Sequence, residues 1–462
     1  MGTTTKPIVL LVLALAAAPS YAQLQDPIPD SLSLGGVTLY ATIDVGYAYQ
    51  SNGVPLSSQW GGGLEYQAFT TTRNFSGPQS TVAESGLEQS KVGLRVSQPI
   101  GNGLTLIART DTGFNPLSGQ LVDGCGSVVT NSGRPQGQQT ANADTSRCGQ
   151  PFNGVIWGGI SHTVYGALTI GRQSSLQLDA IAQYDPQGLS YAFSFLGFSG
   201  LNAGAGSTQG ARWDNSIRYA YQHGPAHLAV EYSSGGLDTG LLGKSYGVDA
   251  GSSWGGFSLD AVFQNEKGAV NLRSSFNNPV NPVPAPGLSA FISNNTSYNL
   301  LGKYTLSKLT VYGGYSHMQR KHGDYVPGAA AQNNYPITVP INVNSPTVYN
   351  MEWLGAKYEL RPAWNLMVGL YHVTQNNWTI GRGVDGHENI GCSAAGLLCS
   401  GDFNEASVVL DYVLNKHYDL YTGVNYSEVT NGLANGFKGT PAAGTSGSEN
   451  QTTLMFGFRI RI

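Results

Sequence analysis

The sequence predicts an all-β chain closed into a transmembrane antiparallel β-barrel. Three observations carry that prediction. Hydrophobicity alternates with a period of two over long stretches. These stretches pair as hairpins with short turns at one end and long polar loops at the other. Charge is scarce, while glycine and tyrosine are abundant. Only 11% of the 462 residues are charged, against roughly a quarter in ordinary soluble domains. Glycine supplies 62 residues and tyrosine 25, yet the hydrophobic share is a modest 40%. A formal charge of −4 and a pI near 6.1 exclude the basic stripe that nucleic-acid binding requires. So little charge suits a surface turned to lipid better than one turned to water.

The first segment sets the compartment. Lys6 precedes an apolar run over residues 8–18, followed by Pro19-Ser20-Tyr21-Ala22. A basic start, a short apolar core and small residues at Ser20 and Ala22 form the pattern of a secretory signal peptide. Cleavage after Ala22 is expected, dividing the chain into a signal peptide (1–22) and an outer-membrane barrel (23–462). The apolar run is too short for a spanning helix, which takes about 20 residues. Four cysteines suit an oxidising compartment. Cys125 with Cys148, and Cys392 with Cys399, are candidates for two local disulfides, although spacing alone leaves the connectivity open. None of the spacings is CxxC, so no zinc site is expected.

The strands follow in order. Val37, Leu39, Ala41, Ile43, Val45, Tyr47 and Tyr49 alternate with smaller or more polar residues, which is strand periodicity over a stretch longer than most soluble strands. Residues 91–97 and 104–111 pair across Pro99-Ile100-Gly101-Asn102-Gly103. Residues 156–161 pair with 167–172, and residues 213–221 turn at His223-Gly224-Pro225 into 228–232. Tyr304, Tyr358 and Tyr412 lie 54 residues apart, each followed two residues on by Leu306, Leu360 or Leu414 and then by another strand. At the end of the chain, Thr452, Leu454, Phe456, Phe458, Ile460 and Ile462 form one face, with Arg459 and Arg461 on the other. About 54 residues per hairpin and loop gives sixteen strands for the chain after the signal peptide; fourteen or eighteen also fit. Long Gly-, Pro-, Ser- and Asn-rich loops are expected over residues 114–151, 268–295, 321–346 and 432–450.

A bilayer explains this pattern. A tilted strand needs about 9–11 residues to cross, and an open sheet edge is not tolerated in lipid, so the sheet must close. An apolar outer stripe ending in aromatics, a polar lumen, short turns on one side and long loops on the other describe an outer-membrane barrel. A soluble sandwich or propeller would instead show shorter strands.

The chain also resembles the Gram-negative general porins, especially the trimeric porins of β-proteobacteria. The resemblance rests on GVTLYATIDVGYAY from Gly36, KVGLR from Lys91, the turn at Gly101-Asn102-Gly103 with the strand leading to Gly113-Phe114-Asn115, LTIGRQ from Leu168 and NSIRY from Asn215. It departs at the terminal residue, Ile462 where the family ends in Phe, and in the length of the loops after the first and third strands. The resemblance implies a multi-pass homotrimer in the outer membrane of a Gram-negative bacterium. Such a protein would contact the lipid bilayer and lipopolysaccharide, pass small hydrophilic solutes and ions by passive diffusion, and have no enzymatic activity, cofactor or nucleic-acid partner.

It further implies that the third long loop, residues 174–211, folds into the barrel as a constriction. That loop carries Asp179 and Asp185. Strand parity turns Lys91, Arg95, Arg109 and Arg218 towards the lumen. Charged rings at a narrow section filter solutes, so a basic wall opposite loop carboxylates is one expectation. The other is that Asp179 and Asp185 only anchor the loop, with some arginines paired to lumenal acids such as Asp111. Tyr40, Trp157, Tyr312 and Tyr371 share the inward parity and would suit a substrate-selective channel for aromatic or sugar solutes.

Other motifs carry less. Gly251-Ser252-Ser253-Trp254-Gly255 matches G-x-S-x-G, the only support for a barrel hydrolase, but that motif needs a following helix. Here Phe257, Leu259, Ala261 and Phe263 alternate as a strand. His223 and His227 flank Pro225, which breaks the helix that would align them as ligands. Gly243-Lys244-Ser245 is similar to the end of a phosphate loop, but Asp238 stands where its first glycine belongs.

Overall fold

A computed structural model of the protein describes residues 32–51, 78–119, 121, 151–197, 212–235, 244–273, 289–322, 337–340, 346–377, 400–431 and 448–462. Both proposed disulfides, the expected signal peptide and residues 198–211 of the third loop lie outside them. Sixteen strands form one closed antiparallel barrel. The first eight are β1 (Val37–Gln50), β2 in two segments (Gln79–Glu84 and Lys91–Gly101), β3 (Leu104–Gly113), β4 (Ile156–His162), β5 (Gly166–Ser174), β6 (Arg212–His223), β7 (Ala226–Ser234) and β8 (Lys244–Trp254). The rest are β9 (Phe257–Arg273), β10 (Ser289–Leu306), β11 (Leu309–His322), β12 (Thr347–Arg361), β13 (Trp364–Gln375), β14 (Gly401–Val413), β15 (Tyr418–Thr430) and β16 (Ser448–Arg461). Leu32–Leu34 adds a short antiparallel piece to β1, and Ile337–Pro340 runs parallel to the start of β10.

Closure joins the two ends of the chain. β16 pairs with β1, with Leu454 opposite Tyr49 and Phe458 opposite Val45. Among the described residues no barrel strand is left with an unpaired edge, as a membrane requires. The period-two pattern sorts the two faces. On β1, Leu39 and Tyr47 are exposed outside, while Thr42, Asp44, Ala48 and Gln50 are buried inside. Aromatics mark both rims of the outer band. Trp254, Phe257 and Tyr304 stack beside the short turns, and Tyr246, Phe263 and Tyr298 pack together further up the same strands. The two groups stand six to eight residues apart, about 20–26 Å along a strand at roughly 3.3 Å per residue.

The short turns are built from residues that accept positive φ. Gly255 and Gly256 join β8 to β9 with φ of +52° and +88°, the backbone of a two-residue hairpin whose twist matches its strands. Ser253 therefore lies within a strand, one residue before its end, and its hydroxyl lies 2.8 Å from that of Ser258 across the hairpin; no helix follows it.

At the opposite end, β9 and β10 overrun the sequence expectation. They reach 17 and 18 residues, so much of the loop expected over 268–295 is paired strand. Their pairing shifts register between Glu266 and Ala269. The backbone ladder continues beyond that shift, from Ala269 opposite Ser293 to Arg273 opposite Ser289.

β2 is interrupted. Gln79–Glu84 pairs with the upper half of β1 and Lys91–Gly101 with its lower half. Asp44 holds the intervening backbone, its Oδ2 accepting from Leu87 N at 2.8 Å and Glu88 N at 2.9 Å.

Candidate functional site: the constricted lumen

The third loop enters the barrel and opens with a helix, α1 (Leu176–Tyr184). Ser175 caps it, its hydroxyl accepting from Leu178 N at 3.3 Å, and Asp179 in the first turn suits the positive end of the helix. Leu176, Ala180, Ile181 and Tyr184 are buried against Val262, Leu301, Met318 and Trp353 of the wall. Burial of each large aliphatic side chain stabilises the docked loop by about 1.5–3 kcal/mol. The hydrophobic core thus sits inside the barrel, between loop and wall.

The chain then crosses the lumen and is tied on the far side. Gln187 Nε2 donates to Ser407 Oγ at 2.9 Å, and Phe195 N donates to Glu405 Oε1 at 3.0 Å. The carbonyl of Gly86, in the break of β2, accepts from Ser190 Oγ at 2.7 Å and Ala192 N at 3.0 Å. Phe193 meets Tyr421 of β15 edge-on. The loop is a strut fixed to both walls, and a cavity of about 430 Å³ remains beside it. Lys91, Arg109, Arg212, Lys357 and Arg459 line that cavity together with Glu88, Asp111, Asp185 and Asp411.

A polar, charged lumen narrowed by an infolded loop inside a closed sixteen-stranded barrel is the architecture of a diffusion channel. The profile of the Gram-negative porin family matches residues 9–432. The chain belongs to the Gram-negative porins. No curated protein matches it. Among solved structures, the porin is similar to the anion-selective porin from Comamonas acidovorans (16% identity, TM-score 0.56, covering 92% of this chain and 99% of that one). It is also similar to the outer membrane protein OmpT of Vibrio cholerae (12%, 0.53, 94% and 100%). A third is the outer membrane channel DcaP of Acinetobacter baumannii (14%, 0.50, 93% and 99%). The porin is a multi-pass outer-membrane protein forming a channel for passive diffusion. Family and fold point to a channel rather than an enzyme.

The porin brings some of the expected site residues together and separates others. Arg218 does not face Asp179 across open water. Its Nη1 is 2.7 Å from Asp179 Oδ2, its Nη2 is 2.7 Å from Glu231 Oε2, and it also donates to the Ser174 carbonyl. Asp185 is 3% exposed and accepts from Tyr371 Oη, Ser194 Oγ and the backbone of Gln187 and Leu189. Both loop acids are thus held in direct contacts, Asp179 with Arg218 and Asp185 with Tyr371 and the loop. Burial pushes the Asp185 carboxyl above the usual carboxylate range.

Lys91, Arg95 and Arg109 share the wall built by β2 and β3. Lys91 pairs with Glu88 at 2.6 Å. Arg95 lies directly opposite Arg109 in the ladder, and both guanidinium groups approach the ring of Tyr40, at 5.3 and 5.6 Å. Tyr40 Oη donates to Asp111 Oδ2 at 2.8 Å and accepts from Arg109 Nε at 2.9 Å, while Arg109 Nη2 reaches Asp111 at 2.8 Å. The ring lies across Gly93, where any Cβ would stand 2.5 Å from Tyr40 Cζ.

Of the other inward aromatics, Trp157 pairs in the ladder with Arg109, Tyr312 lines the cavity, and Tyr371 is buried on Asp185. Sequence reasoning passed over Lys303 and Lys357, which the same parity rule would have found. It also passed over Glu231, the ladder partner of Arg218.

Proposed function

We propose that the constriction presents a net basic face and that the channel passes small anions in preference to cations. The observation that carries this is the contrast between wall and loop. Arg95 stands exposed at the lumen over Tyr40, beside an Arg109 that is paired with Asp111, whereas the loop carboxylate of Asp185 is sealed by four donors and that of Asp179 is paired with Arg218. Charge left at the lumen acts on a passing ion, and charge neutralised at contact distance acts far less. The similarity to an anion-selective porin agrees with this reading.

The test is the reversal potential of single channels in a salt gradient. Anion preference is expected for the wild type, with a shift towards cations in Arg95→Ala and Arg109→Ala. Cation preference in the wild type, or no shift in either variant, would remove the wall from the filter.

The same reading includes export with cleavage after Ala22, checked by N-terminal sequencing of the membrane form. It also includes a homotrimer in contact with lipopolysaccharide, with the early loops at the subunit contacts, checked by the mass of the detergent-extracted particle.

A further inference from the structure

We propose that His227, Asp249 and Asp260 form a binding site for a divalent transition-metal ion, Zn²⁺ by preference, in the lumenal wall beneath α1. The three residues come from β7, β8 and β9, adjacent strands. In the ladder, Gly251 of β8 stands between His227 and Asp260. A Cβ on Gly251 would lie 1.8 Å from Asp260 Oδ1 and 2.5 Å from His227 Cε1, so the missing side chain is what lets imidazole and carboxylate meet across the middle strand. Asp249, two residues along the same face, completes the group. His227 Nε2 is 3.3 Å from Asp260 Oδ1 and 3.8 Å from Asp249 Oδ2, and the three ligand atoms all lie within 4.8 Å of one another.

The His227–Asp260 separation already fits a metal, and Asp249 Oδ2, at 3.8 Å from His227 Nε2, has a short way to close. Ligand bonds of about 2.0–2.2 Å in a tetrahedral zinc site put neighbouring donor atoms about 3.3–3.6 Å apart. One imidazole and two carboxylates match a borderline ion such as Zn²⁺ better than Mg²⁺, which prefers oxygen and water.

A second observation points to a ligand. Asp260 is 3% exposed, and its Oδ1, facing His227 Nε2, accepts no hydrogen bond. Asp249 Oδ1 is likewise buried without a partner. Tyr184 hydrogen-bonds the Asp260 carboxylate and His227 stands 3.3 Å from its Oδ1, but Asp249 Oδ1 has no donor, and a buried carboxylate oxygen left so is costly unless a cation completes the group. His227 keeps about a third of its side-chain surface, which leaves an entry from the lumen and room for a water as the remaining ligand.

The experiment is calorimetric titration of ZnCl₂ into untagged, chelator-stripped protein in detergent. Saturable uptake of one Zn²⁺ per chain is expected, with MgCl₂ giving none at the same concentrations. His227→Gln and Asp249→Asn, which alter the more exposed members, are each expected to weaken binding at least tenfold. If one variant fails to assemble, the other carries the comparison. Absence of saturable zinc uptake by the wild type overturns the proposal, and so does wild-type affinity in an assembled His227→Gln or Asp249→Asn chain.

Discussion

Tyr371 on β13 donates its hydroxyl to Asp185 in the infolded loop at 2.7 Å, a bond from barrel wall to constriction. The other donors to Asp185 all come from the loop itself, so this bond adds a wall tie at the carboxylate to those made by Gln187 and Phe195. Tyr371→Phe keeps the ring and removes the donor. Leaving a buried carboxylate short of a partner costs about 1–3 kcal/mol. A lower thermal midpoint in detergent is expected, together with noisier open-channel current; unaltered values of both would show that the bond does not hold the loop.

The pH dependence of that anchor has a definite sign. The Asp185 carboxyl is raised by burial, so the native loop holds its proton more tightly than the unfolded chain does. Its contribution to stability is full below about pH 4, the ordinary aspartate range, and declines as pH rises towards the raised native value. Asp185→Asn removes the titration. The wild-type midpoint should therefore fall relative to that of the variant as pH is raised from 4, and parallel curves would contradict the assignment.

Arg218 is the more expensive residue to lose. The Glu231 side chain is fully buried against it, and removing one member of a buried pair costs about 3–5 kcal/mol. Arg218→Met should lower the denaturant midpoint sharply, and adding Glu231→Gln should recover part of the loss. Asp179, with 46% of its side chain exposed, behaves as a surface partner, so Asp179→Asn is expected to cost under about 1 kcal/mol. Equal losses for Arg218→Met and Asp179→Asn would reverse this ranking.

The place of Tyr40 between two arginines depends on Gly93. In Gly93→Ala the new methyl meets the ring and the carbonyl of Thr110 at 2.4 Å. The ring must leave, releasing Arg109 from its hydroxyl. A changed reversal potential or reduced assembly is expected, whereas Gly158→Ala, whose methyl meets nothing within 4 Å, serves as the neutral comparison. Identical behaviour of the two variants would mean that the ring does not organise this wall.

Much of this architecture is legible in the chain because a membrane strand has only two faces. The alternation over Val37 to Tyr49 and the repeated signature at Tyr304, Tyr358 and Tyr412 place strands and turns without any knowledge of partners. Register was legible too: the turn at His223-Gly224-Pro225 sets Arg218 opposite Glu231, a pairing that counting back from the turn reveals. Features made across the lumen are different. The nine residues of α1 form a helix because Val262, Leu301 and Met318 bury one side of it, and those partners lie far along the chain. The break in β2 exists because Asp44 supplies acceptors to Leu87 and Glu88. His227, Asp249 and Asp260 share no local motif, since their proximity is a property of three strands and one glycine.

Asp44 has a further consequence for biogenesis. It lies on the first strand, beside the seam with the last, and accepts from Tyr421 Oη at 2.5 Å across 377 positions of sequence. The same carboxylate secures the backbone on either side of which the loop tip docks, and Phe193 of that tip rests on Tyr421. The seat for the loop tip is therefore finished only when the last strands meet the first. The two ends of the loop thus differ: α1 packs on mid-barrel strands, whereas the tip gains its footing only as the cylinder seals.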